Sequence, residues 1–376
     1  MASILINEID QTTYLNRSIT NDNIVVVGGA GDTGGKFILF RRLKDFYDKV
    51  GTSNSSNDIG YKYAEGILRA GFPVLYKGMA ASNITNLYDT DTLELLKDKN
   101  HYRIKFLPTI YDDDNENLEV IKNVIALAED RGDCFVFVDF NTATADPTDE
   151  TNYAPTLASG ITGTSYAAVV APASKDLDDV KMPASFWYLK TMAEGVSRGI
   201  PVWSIWAGAK RGVITGLKEF GDNVSMQVMK EWTEGKAIVP LMDIQPYGSV
   251  IYGNNTRLHT NNDAQKSALD SINVRLVANE IKRAIYEICL GLTFETNDYA
   301  LWNEFKLKLS SVLNGMKSSH GLNDFIIMMD ETTVTNESID ELTVPGIVKV
   351  DITRAAEKFN IDFILTPSGA IISENI

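Results

Sequence analysis

The residues most suggestive of chemistry lie in the stretch VVVGGAGDTGGKF, residues 25–37. The pattern G-x-G-x-x-G between Gly29 and Gly34 is typical of loops that hold a dinucleotide pyrophosphate at a helix N-terminus. However, Phe37–Phe40 after the loop is β-prone, and Ala30 stands where a phosphate loop needs its first glycine. We therefore expect a turn between two strands, where glycine permits positive φ. A nucleotide-binding enzyme that uses this loop is the alternative function.

A second candidate site is GTSYAAVVAP, residues 163–172, which is similar to the G-T-S-x-A segment around the nucleophile of subtilisin-like proteases. A serine nucleophile needs an imidazole base that is oriented by a carboxylate. Asp139 ends an apolar strand and could supply the carboxylate. The only His-Gly pair, at His320, follows Ser165, whereas the protease family places it before the serine. A hydrolase that uses Ser165 is thus a third, disfavoured function.

The acidic run DDDNENLE, residues 112–119, is the one segment that suggests calcium. An EF-hand loop requires glycine at its sixth position and a bidentate glutamate at its twelfth, and Asn117 and Asn123 occupy these positions here. No Cys/His grouping has zinc spacing. A solvated loop and an acidic helix start explain the run, since the helix dipole favours carboxylates there. We predict no catalytic residue, no metal site and no cofactor.

Composition restricts the function classes further. The chain has 376 residues, 44% hydrophobic and 23% charged, the proportions of a soluble globular protein with about two or three domains. Its formal charge of −15, with no dense basic cluster, disfavours nucleic acid as a partner. We expect neither a secretory signal nor a membrane-inserted helix, hence use without export. Cys134 and Cys289 lie in apolar segments and are expected to be buried thiols in a reducing compartment.

The elements that must position these residues follow an α/β pattern in the first two thirds of the chain. A strand at Ile24 enters the glycine loop, and two helices end at Gly51 and Gly71. Between residues 103 and 139 the order strand, amphipathic helix closed by Gly132, and apolar strand predicts a βαβ unit with a covered parallel sheet. Further along, YAAVVAP predicts the next strand.

The last third changes character. A long helix over SINVRLVANEIKRAIYEICLG is predicted to end at Gly291, and a second helix, capped by Asn297, to run from Asp298 to Asn314 and stop at Gly315. Strands are predicted at DFIIMMD, GIVKVDIT and NIDFILT. The apolar stripe of the long helix comprises Ile272, Leu276, Ile281, Ile285 and Ile288.

Three motifs of this C-terminal third resemble those of contractile tail sheath proteins, found in contractile-tailed phages and related injection machines. The segments GNNTRL, INVRL and FETNDYALW are similar to that family's G-A-R-T-L, I-N-V-R-R-L and F-E-P-N-D-x-x-L-W. An Asn-Asn insertion, a single arginine and Thr296 in place of proline are departures. The matching residues are Gly253, Thr256, Arg257, Leu258, Ile272, Asn273, Val274, Arg275, Leu276, Phe294, Glu295, Asn297, Asp298, Leu301 and Trp302.

The resemblance implies a mixed α/β (α+β) fold, with a central α/β domain of subtilisin-like architecture and no protease function. It also implies a C-terminal α+β sheath domain and extended β-strand arms at both termini. The domains expected on this basis are an N-terminal arm at 1–22, an α+β region at 23–85, the central domain at 86–244, the sheath domain at 245–358 and a C-terminal strand or arm at 359–376.

The implied function is mechanical. The chain would be a virion tail-sheath subunit, assembled in the host cytoplasm. It would form a helical assembly of stacked hexameric rings around an inner tail tube, and contraction would drive the tube through the host cell envelope. The expected partners are copies of the chain itself, the inner tail tube protein, and the baseplate and tail-terminator proteins.

Two sets of contact residues follow. The β-prone ends cannot stand alone as strands, and they pair either within the chain or, by β-strand exchange, with neighbouring subunits. By resemblance, the C-terminal domain faces the tube, which places Lys306, Lys308 and Lys317 near it. The predicted arm contacts are Ile4, Leu5, Ile6, Ile9, Ile361, Phe363 and Leu365.

Overall fold

A computed structural model describes residues 23–51, 58–80, 83–110, 118–139, 160–220, 226–259 and 267–355. Its centre is an eight-stranded sheet with the strand order β11-β10-β6-β5-β4-β1-β3-β2. The mixed α/β class predicted from the sequence is confirmed. The strands are β1 Ile24–Ala30, β2 Phe37–Phe40, β3 Val74–Met79, β4 Ile104–Thr109, β5 Phe135–Val138, β6 Ala167–Ala171, β7 Ser174–Asp176, β8 Lys181–Met182, β9 Leu217–Phe220, β10 Ile238–Ile244, β11 Gly248–Ile251, β12 Leu322–Met328 and β13 Ile347–Ile352.

Helices cover both faces of this sheet and build most of the last third. Where glycine follows a helix in a left-handed conformation, as at Gly71 after α2, it ends the helix as predicted. The helices are α1 Leu43–Val50, α2 Ile59–Ala70, α3 Ile84–Leu87, α4 Thr90–Leu96, α5 Leu118–Arg131, α6 Ala184–Ser197, α7 Gly208–Arg211, α8 Met226–Gly235, α9 Ile272–Leu292, α10 Tyr299–Ser318 and α11 Asn336–Asp340.

The inner strands of the sheet are parallel. Strands β3, β1, β4, β5, β6 and β10 run in one direction, and β2 and β11 are antiparallel strands at the two edges. All four residues of β5 and all five of β6 are buried, because a parallel sheet is covered on both faces. The predicted βαβ unit is therefore present as β4, α5 and β5.

Two buried clusters lie on opposite faces of the sheet. One combines the aromatic residues of α2 and α6 with the apolar faces of α9 and α10, and the other lies under α3, α4 and α5. Within the first cluster the stripe of α9 packs with Trp302, Phe305 and Leu309 of α10. The C-terminal third is thus continuous with the core of the sheet, and the predicted boundaries at residues 85 and 244 stay predictions.

Three details of the C-terminal third differ from the sequence expectations. The cap of α10 is Asp298, which accepts from the amides of the first turn, while Asn297 bonds the indole of Trp302. The helix continues past Gly315 to Ser318, because its apolar face still packs at Met316. Cys289 is exposed, since it lies on the side of α9 away from the core; Cys134 is buried as expected.

Two small sheets complete the described structure. Strands β8, β7 and β9 form a three-stranded sheet, and β12 and β13 form an antiparallel two-stranded sheet beside α10. Among the described helices, none has the length and apolar character needed to cross a membrane.

Candidate functional site

The glycine loop is a turn between two strands, as predicted. Strand β2 follows it and pairs antiparallel with β3, so the loop leads into a strand and not into the first turn of a helix. Gly31, Gly34 and Gly35 have positive φ. The loop's polar groups bond within the chain: Thr33 Oγ1 donates to the Lys36 carbonyl at 2.6 Å and accepts from the Gly78 amide at 2.9 Å. This geometry speaks against the nucleotide-binding alternative.

The candidate serine and its candidate acid lie at opposite ends of two neighbouring strands. Asp139 follows the carboxyl end of β5, and Ser165 precedes the amino end of β6. The parallel register pairs Val136 with Ala167, which puts Ser165 level with residue 134 and about 16 Å from Asp139 along the strands. The hydroxyl of Ser165 accepts from the Arg275 guanidinium, which cannot act as a base. No catalytic pair is formed.

Asp139 is instead hydrogen-bonded to the first turn of α6. Its carboxylate accepts from the Ser185 amide at 2.7 Å and from the Ser185 hydroxyl, at the first turn of α6. The Tyr63 hydroxyl lies 2.9 Å from Ser185 Oγ and continues the chain of hydrogen bonds. Burial raises the pKa of Asp139 to about 7, although the bonds from Ser185 act in the opposite direction. The described residues contain no group of three or more His, Cys, Asp or Glu suited to a metal ion.

The opposite, amino edge of the sheet carries a larger set of buried polar contacts, and α9 supplies them. Arg275 reaches β6 through Ser165, and its guanidinium stacks 4.0 Å from the centre of the Tyr166 ring. Burial lowers the pKa of Arg275. One turn later, Asn279 Nδ2 donates at 2.9 Å to the carbonyl of Cys134, just before β5.

The next turn of α9 reaches β5 and β4 together. Arg283 donates to the carbonyl of Asp133 at 2.8 Å and to that of Ile104, the first residue of β4. The Asp133 carboxylate lies 3.5 Å from the same guanidinium. A buried guanidinium is tolerated here because its donors meet carbonyl and carboxylate oxygens.

A buried ion pair extends this set to β1. Lys105 Nζ of β4 lies 2.8 Å from Glu280 Oε1 of α9, and both side chains are under 5% exposed. The same ammonium donates at 2.9 Å to Oδ1 of Asn23, the residue before β1. Glu280 thereby reaches the amino end of β1 through Lys105.

Arg257 makes the corresponding contact at β10, from the loop that precedes α9. Its guanidinium donates to the carbonyls of Ile161, at 2.7 Å, of Lys236, and of Ala237, at 3.1 Å, the last directly before β10. Burial lowers the pKa of Arg257 to about 10. The single ammonium nitrogen of a lysine could not replace the guanidinium fork, which donates to these three carbonyls from two nitrogens.

Asn273, in the first turn of α9, points to the C-terminal sheet. Its Nδ2 donates at 3.0 Å to the carbonyl of Thr353, which follows β13, and its Oδ1 accepts from Asn254 at 2.7 Å. We call the whole set the polar seam. Its members are Arg257, Asn273, Arg275, Asn279, Glu280 and Arg283.

The spacing of the polar seam matches the spacing of the strands. Arg275, Asn279 and Arg283 are four residues apart and lie on one helix face, about 6 Å apart along the axis. Adjacent strands are about 4.8 Å apart, so successive turns of α9 meet β6, β5 and β4 in order. From the sequence, only the apolar residues of this helix were predicted to be buried. The signal for the seam is the run of polar residues at a spacing of four within an otherwise apolar helix.

The three lysines predicted to face a tube lie on α10, but on different sides of it. Lys306 and Lys317 are eleven residues apart and share one side, whereas Lys308 is rotated about 200° from Lys306. Lys308 pairs with Glu304 at 2.7 Å, and Lys317 with Asp324 of β12 at 2.9 Å. The bond from Lys317 lowers the pKa of Asp324.

The seven arm residues of the sequence analysis lie outside the described residues. The described chain starts at Asn23, at the amino end of β1, and stops at Ala355, three residues after β13. Within the described ranges the sheet of β12 and β13 has two strands only. Each of the two strands therefore has one backbone edge without a strand partner in the described structure.

Two phage tail sheath proteins are similar to part of this chain in sequence. No family model matches the chain. The tail sheath protein of Vibrio phage KVP40 is 27% identical over 174 residues, and that of Enterobacteria phage T4 is 25% identical over 172. Each match covers 46% of this chain and 25% of the relative, so the chain matches about a quarter of the length of these curated relatives.

Solved structures match over almost the whole chain. The sheath complex of an extracellular contractile injection system, PVC, in the contracted state covers 97% of both chains at 19% identity, with a TM-score of 0.72. The chain has the fold of a contractile sheath protein. A chain of the six-fold symmetrised baseplate of the anti-feeding prophage is similar, with a TM-score of 0.73 at 16% identity and 93% coverage. The predicted resemblance to the sheath family is confirmed by the named relatives and by the fold.

The sheath resemblance gives the motif residues a physical meaning. Arg257 of TRL and Asn273 and Arg275 of INVRL are buried members of the polar seam. Asn297, Asp298 and Trp302 of FETNDYALW form the cap and first turn of α10. The motifs therefore fix how the C-terminal third joins the central sheet, and they hold no catalytic constellation.

Proposed function

We propose that the chain is the structural subunit of a contractile sheath. It polymerises as stacked hexameric rings around an inner tail tube and contracts to drive the tube through a cell envelope. The observation that carries the proposal is the shared fold over more than nine tenths of both chains with proteins of contractile injection systems, one of them a helical sheath in the contracted state. Such a subunit is a mechanical part, and we propose no enzymatic activity.

The two-stranded sheet supports a way of joining subunits. A sheet of only two strands has two open backbone edges, and such an edge accepts an added strand through main-chain hydrogen bonds. We infer that β12 and β13 receive strands from the arms of neighbouring subunits, so that residues 1–22 and 359–376 link the rings. The competing arrangement is that each arm pairs with its own chain.

Exposed apolar side chains support an assembly surface in the C-terminal third. Among the large hydrophobic residues of the described ranges, Phe294, Leu342 and Leu307 are 103%, 91% and 73% exposed, ahead of Leu177 at 70%. Phe294 follows α9, has a positive φ of 73°, and projects into solvent. Large apolar groups held in solvent are typical of protein–protein contacts. We infer that these residues become buried between subunits or against the tube.

The geometry of α10 divides the three predicted tube-facing lysines into two groups. Lys306 and Lys317 share one side of the helix, so we propose these two as tube contacts together and treat Lys308 separately. The further partners in this proposal are the baseplate and tail-terminator proteins, and the location is the virion tail after assembly in the host cytoplasm. No nucleic acid and no inserted membrane segment is needed.

Contraction in this proposal needs no cofactor. Two packings of the same subunits suffice if they differ in free energy and are separated by a barrier, because packed interfaces are bistable and do not deform continuously. The arms would keep the rings connected while the bodies rotate.

Electron microscopy of the purified full-length chain tests the proposal. We expect helical tubes or ring stacks. Removal of residues 1–20 or of residues 361–376 should abolish polymer growth and leave a folded subunit with an unchanged circular dichroism spectrum. A monodisperse monomer at high concentration would count against the sheath role, and tubes from both truncated chains would count against arm exchange.

A further inference from the structure

Two residues adjoining strands, Asn23 before β1 and Thr353 after β13, are both fastened to α9. At the first, Asn23 accepts from Lys105, which is paired with Glu280 of α9. At the second, the carbonyl of Thr353 accepts from Asn273 of α9. We call Asn23 and Thr353 the roots, because the predicted arms extend from them.

The two fastening residues of α9 are in line. Asn273 and Glu280 are seven residues apart, close to two full turns, so their side chains leave the same face about 10 Å apart along the axis. The side chains of Asn23, Lys105 and Asn273 are each under 5% exposed, and Thr353 is half-buried. The bond between Asn23 and Lys105 is therefore shielded from water, and the bond between Asn273 and Thr353 is shielded on the side of Asn273.

The other members of the polar seam hold the same stretch of helix against the sheet. Arg275 and Asn279 attach to β6 and β5 between the two fastening points, and Arg283 follows just beyond them. On the opposite side of α9, Ile281, Ile285 and Ile288 belong to the same apolar cluster as residues of α10. The helix segment between Asn273 and Glu280 is therefore clamped on two sides and cannot move without breaking several contacts.

We infer that α9 is the element that carries tension between the two arms of a subunit. A pull on residue 22 reaches Glu280 through Asn23 and Lys105, passes along two turns of helix, and leaves through Asn273 to Thr353. Within the central sheet this route passes through one strand residue, Lys105 of β4. The inference rests on the proposed arm exchange for its role in a sheath, but the route itself is a property of one subunit.

The inference assigns different roles to chemically similar residues. Asn273 and Asn279 are buried asparagines on the same helix, and each donates to a main-chain carbonyl at about the same distance, 3.0 and 2.9 Å. Only Asn273 holds a root. Asn279 bonds the carbonyl before β5, which links α9 to the sheet without reaching either root, and it is the matched control.

Single-molecule force spectroscopy on the full-length chain, held by handles at residues 1 and 376, tests the route. At constant force we expect Asn23→Ala and Asn273→Ala to raise the rate of the first rupture about five- to tenfold, the effect of losing one buried hydrogen bond. Asn279→Ala should change that rate less than twofold. In urea, without force, Asn23→Ala and Asn279→Ala should lower the unfolding midpoint by similar amounts, because each removes one side-chain hydrogen bond, and Asn273→Ala, which removes two, should lower it further.

An equal acceleration by Asn279→Ala and Asn273→Ala would overturn the inference, and so would wild-type rupture rates in both root variants. Should Asn273→Ala fail to fold, Asn23→Ala against Asn279→Ala answers the same question, because neither variant removes a contact of Asn273. The measurement needs no assembly. A chain that never forms tubes would defeat the proposed function, whereas equal rupture rates would defeat this route alone.

Discussion

The two ends of the parallel strands in the central sheet, called here its carboxyl edge and its amino edge, are built in opposite ways. At the carboxyl edge, where ligands bind in open α/β sheets, the glycine loop and Asp139 are closed by hydrogen bonds within the chain. At the amino edge, the polar seam brings guanidinium, amide and carboxylate groups of one helix to three parallel strands, β6, β5 and β4. The carboxyl edge holds a buried acid with a raised pKa, and the amino edge holds buried cations that donate to carbonyl, hydroxyl and carboxylate oxygens.

This difference shows what the sheet is used for. An enzyme on this type of sheet keeps reactive groups accessible at the carboxyl edge, whereas here Thr33 and Asp139 are hydrogen-bonded within the chain. The larger set of buried polar contacts holds α9, and through it the C-terminal third, to the sheet. The sheet therefore serves as the platform to which α9 is fastened.

The largest expected effect separates the amino edge from the protein surface. Lys105→Met leaves Glu280 as a buried carboxylate without its cation, which should lower the free energy of unfolding by about 3–5 kcal/mol. Lys308→Met breaks an exposed pair with Glu304 and should cost less than about 0.5 kcal/mol. Urea titration measures both. The added change Glu280→Leu should restore part of the loss in Lys105→Met; no recovery would mean that packing, not charge, explains it.

The second prediction concerns the carboxyl edge and pH. The pKa of Asp139 is raised to about 7 in the folded chain, above its value near 4 when unfolded, so the folded state binds the extra proton between these values. The contribution of Asp139 to stability is fully present below pH 4 and is lost as pH rises towards 7 and just above.

Urea titrations of the wild type and of Asp139→Asn at several pH values check this behaviour. Between pH 5 and 7, the free energy of unfolding of the wild type should fall by about 2 kcal/mol relative to the variant, which cannot ionise. Parallel curves for the two proteins would show that Asp139 titrates normally.

The glycine loop gives a smaller contrast at the same edge. A Cβ at Gly29 would lie 2.5 Å from the Tyr61 amide and the Asp58 carboxylate, so Gly29→Ala should cost about 1–3 kcal/mol through overpacking. At Gly34 there is open space but a φ of +67°, and Gly34→Ala should cost only about 1 kcal/mol. Thermal unfolding ranks the two variants. The reverse order would mean that the loop's conformation, not its contact with α2, requires glycine.

The smallest expected effect concerns Ser165 at the amino edge. Its hydroxyl accepts from Arg275, so Ser165→Ala should lower the free energy of unfolding by about 1 kcal/mol. A fluorophosphonate probe should label neither the wild type nor the variant. Labelling that is lost in Ser165→Ala would revive the hydrolase function.

The sequence allowed the elements and their order to be predicted because their signals are local. Apolar runs predicted β5 and β6, Gly51, Gly71 and Gly132 marked helix ends, and the β-prone Phe37–Phe40 excluded a phosphate site. The cap of α10 was placed one residue early because Asn297 and Asp298 are both good caps, and only packing at Trp302 decides between them. Gly315 failed as a stop because tertiary contacts outweigh propensity.

The polar seam could not be predicted because its partners are distant in sequence. Asn279 bonds a carbonyl 145 residues away, and Lys105 bonds Asn23 across 82 residues. A polar residue in an apolar helix indicates a buried contact but not the identity of its partner. The exposure of Cys289 was missed for a related reason, since the apolar sequence around it continues on the side of α9 that faces away from the core.

Helical reconstruction from electron micrographs of the assembled full-length chain tests the central claim most directly. Arm exchange predicts tubes in which the sheet of β12 and β13 has gained strands that trace to residues 1–22 and 359–376 of neighbouring subunits. Tubes in which both edges of that sheet stay unpaired, or pair only with the subunit's own ends, would contradict it.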